Sequence, residues 1–137
     1  PLRLVGSEMC IRDRDKGIVF IFQINDLSGI KMCDEDIVVI LSNLLNNAIE
    51  ACEKCSGKKF MKMKLVKEKD NIIISVKNTY DGKLNIKDGE IQTSKKYEMD
   101  EHGVGIKNII EVITKYQGSY AIRNDNNEFY FSVILPN

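Results

Sequence analysis

At 137 residues, 43% of them hydrophobic, the chain has the size of one domain that can bury a core without disulfide or metal staples. Twenty basic and twenty acidic side chains cancel, which argues against a nucleic-acid binder, whose partner calls for a basic excess. No apolar run approaches the ~20 residues that span a bilayer, so the expectation is a soluble domain; the longest runs, residues 17–22 and 37–41, have strand or helix length.

Four cysteines (Cys10, Cys33, Cys52, Cys55) are irregularly spaced, and no signal-peptide pattern precedes them, as for free thiols in a reducing cytoplasm. Cys52 and Cys55 have CxxC spacing, but no second pair and only one histidine exist to complete a zinc tetrahedron. They read as two thiols near a helix end.

The chain starts with Pro1 rather than methionine, as a fragment or processed product would. Residues 1–14 (PLRLVGSEMCIRDR) show neither helical nor strand periodicity. They resemble a leader found on fragmentary environmental sequences that looks like translated adapter read-through. Residues 1–14 are therefore expected to be non-native, with the native message starting near Asp15, one domain over 15–137 and no role for Cys10.

Residues 16–25, rich in β-branched and aromatic side chains, predict a first strand. After a connection over 26–33, Asp34 offers an N-cap, with Glu35 and Asp36 in the first turn, where a helix favours negative charge. Apolar residues then recur at helical spacing from Ile37 to about Lys54, and Ser56-Gly57 stops the helix. Residues 60–67 and 72–77 predict a hairpin around a polar turn, with Met61 and Met63 as core filling. Residues 79–102, charged and aperiodic, read as a structureless lid, with a floppy insertion as the alternative. Helical spacing resumes from Val104 to Ile113 and stops at Gln117-Gly118, and strands over 119–123 and 128–135 end the chain. The order β-α-β-β-lid-α-β-β predicts an α/β (α+β) two-layer sandwich, a mixed, mainly antiparallel sheet with its helices on one face.

Two constellations could carry chemistry. On the first helix, Asn43, Asn47 and Glu50 stand at i, i+4 and i+7 and form one polar stripe. Asparagine is a poor helix former, so three of them in five positions (Asn43, Asn46, Asn47) need a compensating role. An amide oxygen is a neutral hard ligand suited to Mg²⁺; the other reading is a solvated face with no ligand. The second constellation, His102-Gly103-Val104-Gly105, opens the second helix, where glycines let the backbone approach a ligand and free N–H groups face an anion. Glycines serving only as a hinge are the alternative. Lys95, in Thr93-Ser94-Lys95, could bring an ammonium to phosphates or be a plain surface lysine.

These pieces, in this order, resemble the GHKL (Bergerat-fold) ATPase superfamily over residues 15–137. NLLNNAIEA (43–51) is similar to its N-box, HGVGIKN (102–108) to the glycine box of its ATP lid, and SVKN (75–78) occupies the place of its adenine-reading aspartate motif. TSK, HGxGxKNI and KYxG (115–118) further resemble the Agr-type peptide-pheromone and dicarboxylate receptor kinases. The resemblance implies a Bergerat ATP-binding fold and Mg-ATP as ligand. It implies Asn47 as the Mg²⁺ ligand, with Asn43 supporting the metal or a phosphate. It further implies backbone N–H groups of Gly103, Val104 and Gly105 on the phosphates, Lys95 and His102 near them, and Asn78 at the adenine amino group. Asn78 departs from the family's aspartate, and Thr79-Tyr80 stand where glycines usually follow.

Hydrolysing members place a glutamate base at the position of Asn43, which cannot act as one; Glu50 is assigned a packing or supporting role. No catalytic residue is thus assigned within the chain. The implied activity is that of a sensor histidine kinase: γ-phosphoryl transfer to a histidine on a separate dimerisation domain, not to His102. Implied partners are that domain and a membrane sensor upstream in the same protein, a second copy in the full-length homodimer, and a response regulator of LytTR type, with no direct nucleic-acid contact. The chain would be the cytoplasmic domain of a membrane-bound receptor. Two alternatives stay open: an anti-sigma-factor-type serine kinase of the same superfamily, and a degenerate, non-catalytic interaction domain.

Overall fold

The computed structural model describes residues 2–5, 8–13, 17–25, 27–81, 85–87, 90–92, 104–125 and 127–137. In chain order the elements are β1 (Leu2–Val5), β2 (Glu8–Asp13), β3 (Ile18–Ile24), α1 (Asp34–Glu53), β4 (Lys59–Glu68), β5 (Asn71–Thr79), β6 (Asn85–Lys87), β7 (Glu90–Gln92), α2 (Val104–Lys115), β8 (Ser119–Asp125) and β9 (Glu128–Pro136).

Seven strands form one sheet in the order β1-β2-β3-β4-β5-β9-β8. Only β3 and β4 pair in parallel, Ile18 opposite Lys59 and Ile24 opposite Leu65. A parallel neighbour needs a crossover, and α1 supplies it. The remaining pairs of this sheet are antiparallel. Both helices lie on one face, so the architecture is the expected α+β sandwich with a mixed, mainly antiparallel sheet.

Alternation decides which side chains meet the helices. Met61, Met63 and Leu65 of β4, Ile72, Ile74 and Val76 of β5, and Phe131, Val133 and Leu135 of β9 pack against Ile40, Leu44 and Ala48 of α1 and Ile109, Val112 and Ile113 of α2. Each fully buried aliphatic or aromatic side chain here contributes about 1.5–3 kcal/mol. The two strand methionines are core, as their spacing predicts.

Three local expectations need correction. Residues 2–5 and 8–13, read as lacking periodicity, are strands: β2 pairs along the edge of β3, Asp13 opposite Ile18, and β1 pairs with β2. An edge strand offers unpaired backbone groups to any neighbouring segment, whatever its side-chain pattern. The segment read as a structureless lid contains a short hairpin, β6 with β7, Ile86 opposite Ile91. The N-cap of α1 is Cys33 rather than Asp34: Cys33 is extended (φ −62°, ψ 135°), and its carbonyl accepts from the N–H groups of Asp36 and Ile37. Asp34 is instead the first helical residue.

The end of α2 is a Schellman motif. The N–H of Gly118 donates to Ile113 O at 2.8 Å and that of Gln117 to Thr114 O at 3.1 Å. The left-handed residue is Gln117 (φ 57°), not the glycine. Gly118 answers a packing need: a Cβ there would lie 2.5 Å from Leu135 Cδ2 and 2.6 Å from Ile134 O.

Candidate functional site

Helix α1 turns Leu44 and Ala48 into the core and leaves Asn43 and Asn47 at the margin of the buried stripe, both partly exposed, with Glu50 exposed. Asn43 Nδ2 donates to Val39 O at 2.7 Å, one turn back in the same helix, which fixes the amide and aims its oxygen away from the helix backbone. That oxygen meets the start of α2. A Cβ built on Gly105 would lie 3.0 Å from Asn43 Oδ1 and 3.7 Å from Asn47 Oδ1. The N-terminal turn of α2, the part of a helix whose N–H groups have no intrahelical partner, therefore stands beside both α1 amides at a distance that only glycine permits without displacement.

Asn78 occupies the fourth place of the alternation Ile72, Ile74, Val76, Asn78 on the helix-facing side of β5, so an amide stands where the pattern asks for an aliphatic side chain. It is 1% exposed, in register between Met61 and Phe129. Its Nδ2 donates to Thr79 O at 3.0 Å, whereas its Oδ1 has no hydrogen-bond partner among the described residues. A buried acceptor left unmade costs about 1–3 kcal/mol, and such an atom in a folded protein calls for a ligand, a water or a functional account.

Cys52, which sequence reasoning left without a role, ties the end of α1 to this part of the sheet. Its Sγ donates to Phe60 O at 3.3 Å and lies 3.5 Å from Thr79 Oγ1, which also accepts from the N–H of Phe60. Burial pushes the Cys52 thiol up from its ordinary value and keeps it protonated. Cys55 is also buried, its Sγ donating to Ala51 O. Asn47 precedes Cys52 by five residues, about 7.5 Å along the helix, so the α1 amides and Asn78 belong to the same end of the sandwich.

At the other end of the helix pair, the Asp36 carboxylate accepts from Lys115 Nζ at 2.8 Å and from the Tyr116 hydroxyl at 2.5 Å, and that hydroxyl accepts from the Cys33 N–H at 3.2 Å. The two donors hold the Asp36 carboxyl below the usual carboxylate range, and the carboxylate raises both Lys115 and Tyr116. Sequence reasoning missed this cluster; Asp36 showed only as a first-turn acid.

Of the residues singled out from sequence, Asn43, Asn47, Gly105 and Asn78 lie on the helix side of the sheet, and the first three are brought together. Val104 begins α2. Lys95, His102 and Gly103 lie outside the described residues. On the opposite face of the sheet a shallow concavity of about 240 Å³ is lined by Lys77, Arg123, Asp125, Glu128 and Tyr130. Its groups largely satisfy one another: Lys77 pairs with Glu128 at 3.3 Å, and the Arg123 guanidinium stacks on Tyr130 at 4.9 Å. No helix among the described residues is long and apolar enough to cross a membrane.

A two-layer sandwich with an asparagine-bearing helix facing a glycine-started helix is a fold this chain shares with known domains. The chain belongs to the GHKL domain family, whose model matches residues 31–136. Among solved structures it resembles the nucleotide-free catalytic domain of histidine kinase ThkA (TM-score 0.68, 19% identity, covering 90% of this chain and 82% of that one). It also resembles the Acinetobacter baumannii histidine kinase AdeS (TM-score 0.63, 14% identity, 89% of this chain and 55% of that one). A third is the histidine kinase domain of the Erythrobacter litoralis EL346 blue-light activated histidine kinase (TM-score 0.64, 10% identity, 88% and 52%). At these identities the likeness is one of fold. No match was found among curated proteins.

Proposed function

We propose that this domain binds Mg-ATP and serves as the catalytic domain of a sensor histidine kinase, donating the γ-phosphoryl group to a histidine on a separate dimerisation domain. The observation that carries the reading is the apposition of Gly105 with Asn43 and Asn47. A metal-binding amide and an anion-binding helix start are useful together only if one ligand carries both a cation and phosphates.

Two features of the chain fit that ligand. The space beside Gly105 is one a Cβ would fill against Asn43, as expected where backbone must approach a phosphate. The orphaned Oδ1 of Asn78 is an acceptor suited to an exocyclic amino group such as that of adenine. The Asn78 amide is oriented by Thr79 O, so its oxygen remains the group on offer even though the family's aspartate charge is missing. In this reading Asn47 Oδ1 is the Mg²⁺ ligand and Asn43 supports it. Backbone N–H groups of Gly103, Val104 and Gly105 hold the phosphates, with Lys95 and His102 beside them. Bound Mg-ATP supplies the transferable phosphoryl group. The chain orients it and offers no carboxylate base at Asn43 to activate water, which favours transfer over hydrolysis.

The wider setting belongs to the same proposal: a cytoplasmic domain of a membrane-bound, homodimeric receptor of the Agr type, acting on a LytTR-type response regulator. Calorimetric titration with a non-hydrolysable ATP analogue, with and without Mg²⁺, tests the core of it. Saturable binding that needs Mg²⁺ and is lost in Asn47→Ala is expected. No heat up to about 1 mM analogue, a Kd too weak to matter at cellular nucleotide levels, would overturn it.

A further inference from the structure

Helices α1 and α2 run antiparallel: Gly105, near the start of α2, faces Asn43 and Asn47, whereas Lys115 and Tyr116, at its end, face Asp36 near the start of α1. Both helices put apolar side chains into the shared core, Ile40, Leu44 and Ala48 from α1 and Ile109, Val112 and Ile113 from α2. Apolar ridges seated in grooves are weakly directional, and a shift by one ridge keeps much of the burial. Something directional must therefore choose the register, because a one-turn slide of about 5.4 Å would carry Gly105 past the α1 amides.

The cluster at the far end has that character. Cys33, the N-cap of α1, makes no side-chain cap bond. In a capping box the third helical residue reaches back to the N-cap N–H. Asp36 holds that third position but reaches Cys33 through an intermediary, the Tyr116 hydroxyl, which donates to Asp36 Oδ2 and accepts from Cys33 N–H. The cap of one helix is completed by a residue just past the end of the other. Lys115 adds a second donor to the same oxygen, and the Schellman turn at Gln117 and Gly118 holds the end of α2 in place. The geometry points to Asp36, Lys115 and Tyr116 as positioning residues that set the register of α2 on α1 and thereby hold the Gly105 turn against Asn43 and Asn47.

The functional consequence rests on the nucleotide reading above. Ten residues of helix, about 15 Å, separate Lys115 from Gly105, and a short helix transmits a displacement as a rod. Loss of the cluster weakens the phosphate end of the site and spares the adenine end at Asn78, which is held by the sheet.

Tyr116→Phe removes one hydroxyl and keeps the ring, and Lys115→Met provides a second variant should the first unfold. In two-dimensional NMR spectra without nucleotide, both are expected to move the Gly105 backbone amide and the side-chain amides of Asn43 and Asn47, and to leave the Asn78 amide in place. Affinity for the Mg²⁺-bound ATP analogue should fall roughly fivefold, as about 1 kcal/mol of the cluster's bonding reaches the site, with adenosine affinity unchanged; Lys115→Arg should restore most of the Lys115→Met loss. Resonances of Gly105, Asn43 and Asn47 that stay put in both variants overturn the proposal, as does an unchanged triphosphate affinity in a wild type that binds. A wild type that binds no nucleotide, yet whose Gly105 and Asn47 signals answer to Tyr116→Phe, upholds the register and overturns only the nucleotide reading.

Discussion

Gly105 meets Asn43 so closely that a single methyl group on its Cα would lie 3.0 Å from the amide oxygen. Gly105→Ala therefore sets two effects against each other. Alanine in a helix is favoured over glycine by about 1 kcal/mol, while the crowded amide must shift by a few tenths of an ångström. Thermal unfolding should show a near-neutral change in stability. Binding of the Mg²⁺-bound ATP analogue should fall by about tenfold, or 1.4 kcal/mol, because the phosphate-facing turn and the Asn43 amide are displaced together. Unchanged affinity would remove Gly105 from the site.

Asn78 invites a substitution that separates stability from function. Asn78→Leu removes a buried acceptor that lacks a partner and restores the aliphatic alternation of Ile72, Ile74 and Val76, at the cost of the 3.0 Å bond to Thr79 O. An apolar group of similar shape in place of an unsatisfied one is near-neutral or stabilising. The melting temperature should hold or rise, while affinity for adenine nucleotides falls about tenfold. A clear drop in melting temperature with binding intact would mean that the Asn78 oxygen has a structural partner.

The Asp36 cluster gives stability a pH signature on both sides of neutrality. Hydrogen bonds from Lys115 and Tyr116 lower the folded-state pKa of Asp36 below its ordinary 3.8. The unfolded chain then binds the proton more readily, so this contribution is complete above about pH 4 and is lost as pH falls through the folded value. Asp36 raises Lys115 above 10.5 and Tyr116 above 10.0, so their shares are complete below those values and fade as pH rises through the folded ones. Denaturation profiles of Asp36→Asn should lose both limbs; a profile parallel to wild type at low pH would show that the acid sensitivity lies elsewhere.

Gln117 and Gly118 should respond in opposite directions to mutation. Gly118→Ala forces a Cβ to within 2.6 Å of the Ile134 carbonyl and should destabilise by about 1–3 kcal/mol through overpacking. Gln117→Gly relieves a left-handed residue at φ 57° and should stabilise by up to about 1 kcal/mol. Urea denaturation reads both, and equal effects would contradict the division of labour between the two positions.

The sequence by itself determined both helices and the strands β3, β4, β5, β8 and β9, with the faces of most of them. Apolar residues at helical spacing marked α1 and α2, period-two alternation marked β4, β5 and β9, and the i, i+4 spacing put Asn43 and Asn47 on one side of a helix. These are local properties, written by the geometry of a few consecutive residues. Tertiary structure alone decided who meets whom. Periodicity reports that a face is buried but not against what, so neither the place of α2 beside the Asn43 amide nor the pairing of β2 along the edge of β3 could be read from the chain. The bonds of Asp36 to Lys115 and Tyr116 span about eighty residues and leave no local signature, and the solitude of the Asn78 oxygen is a fact about its surroundings rather than about asparagine.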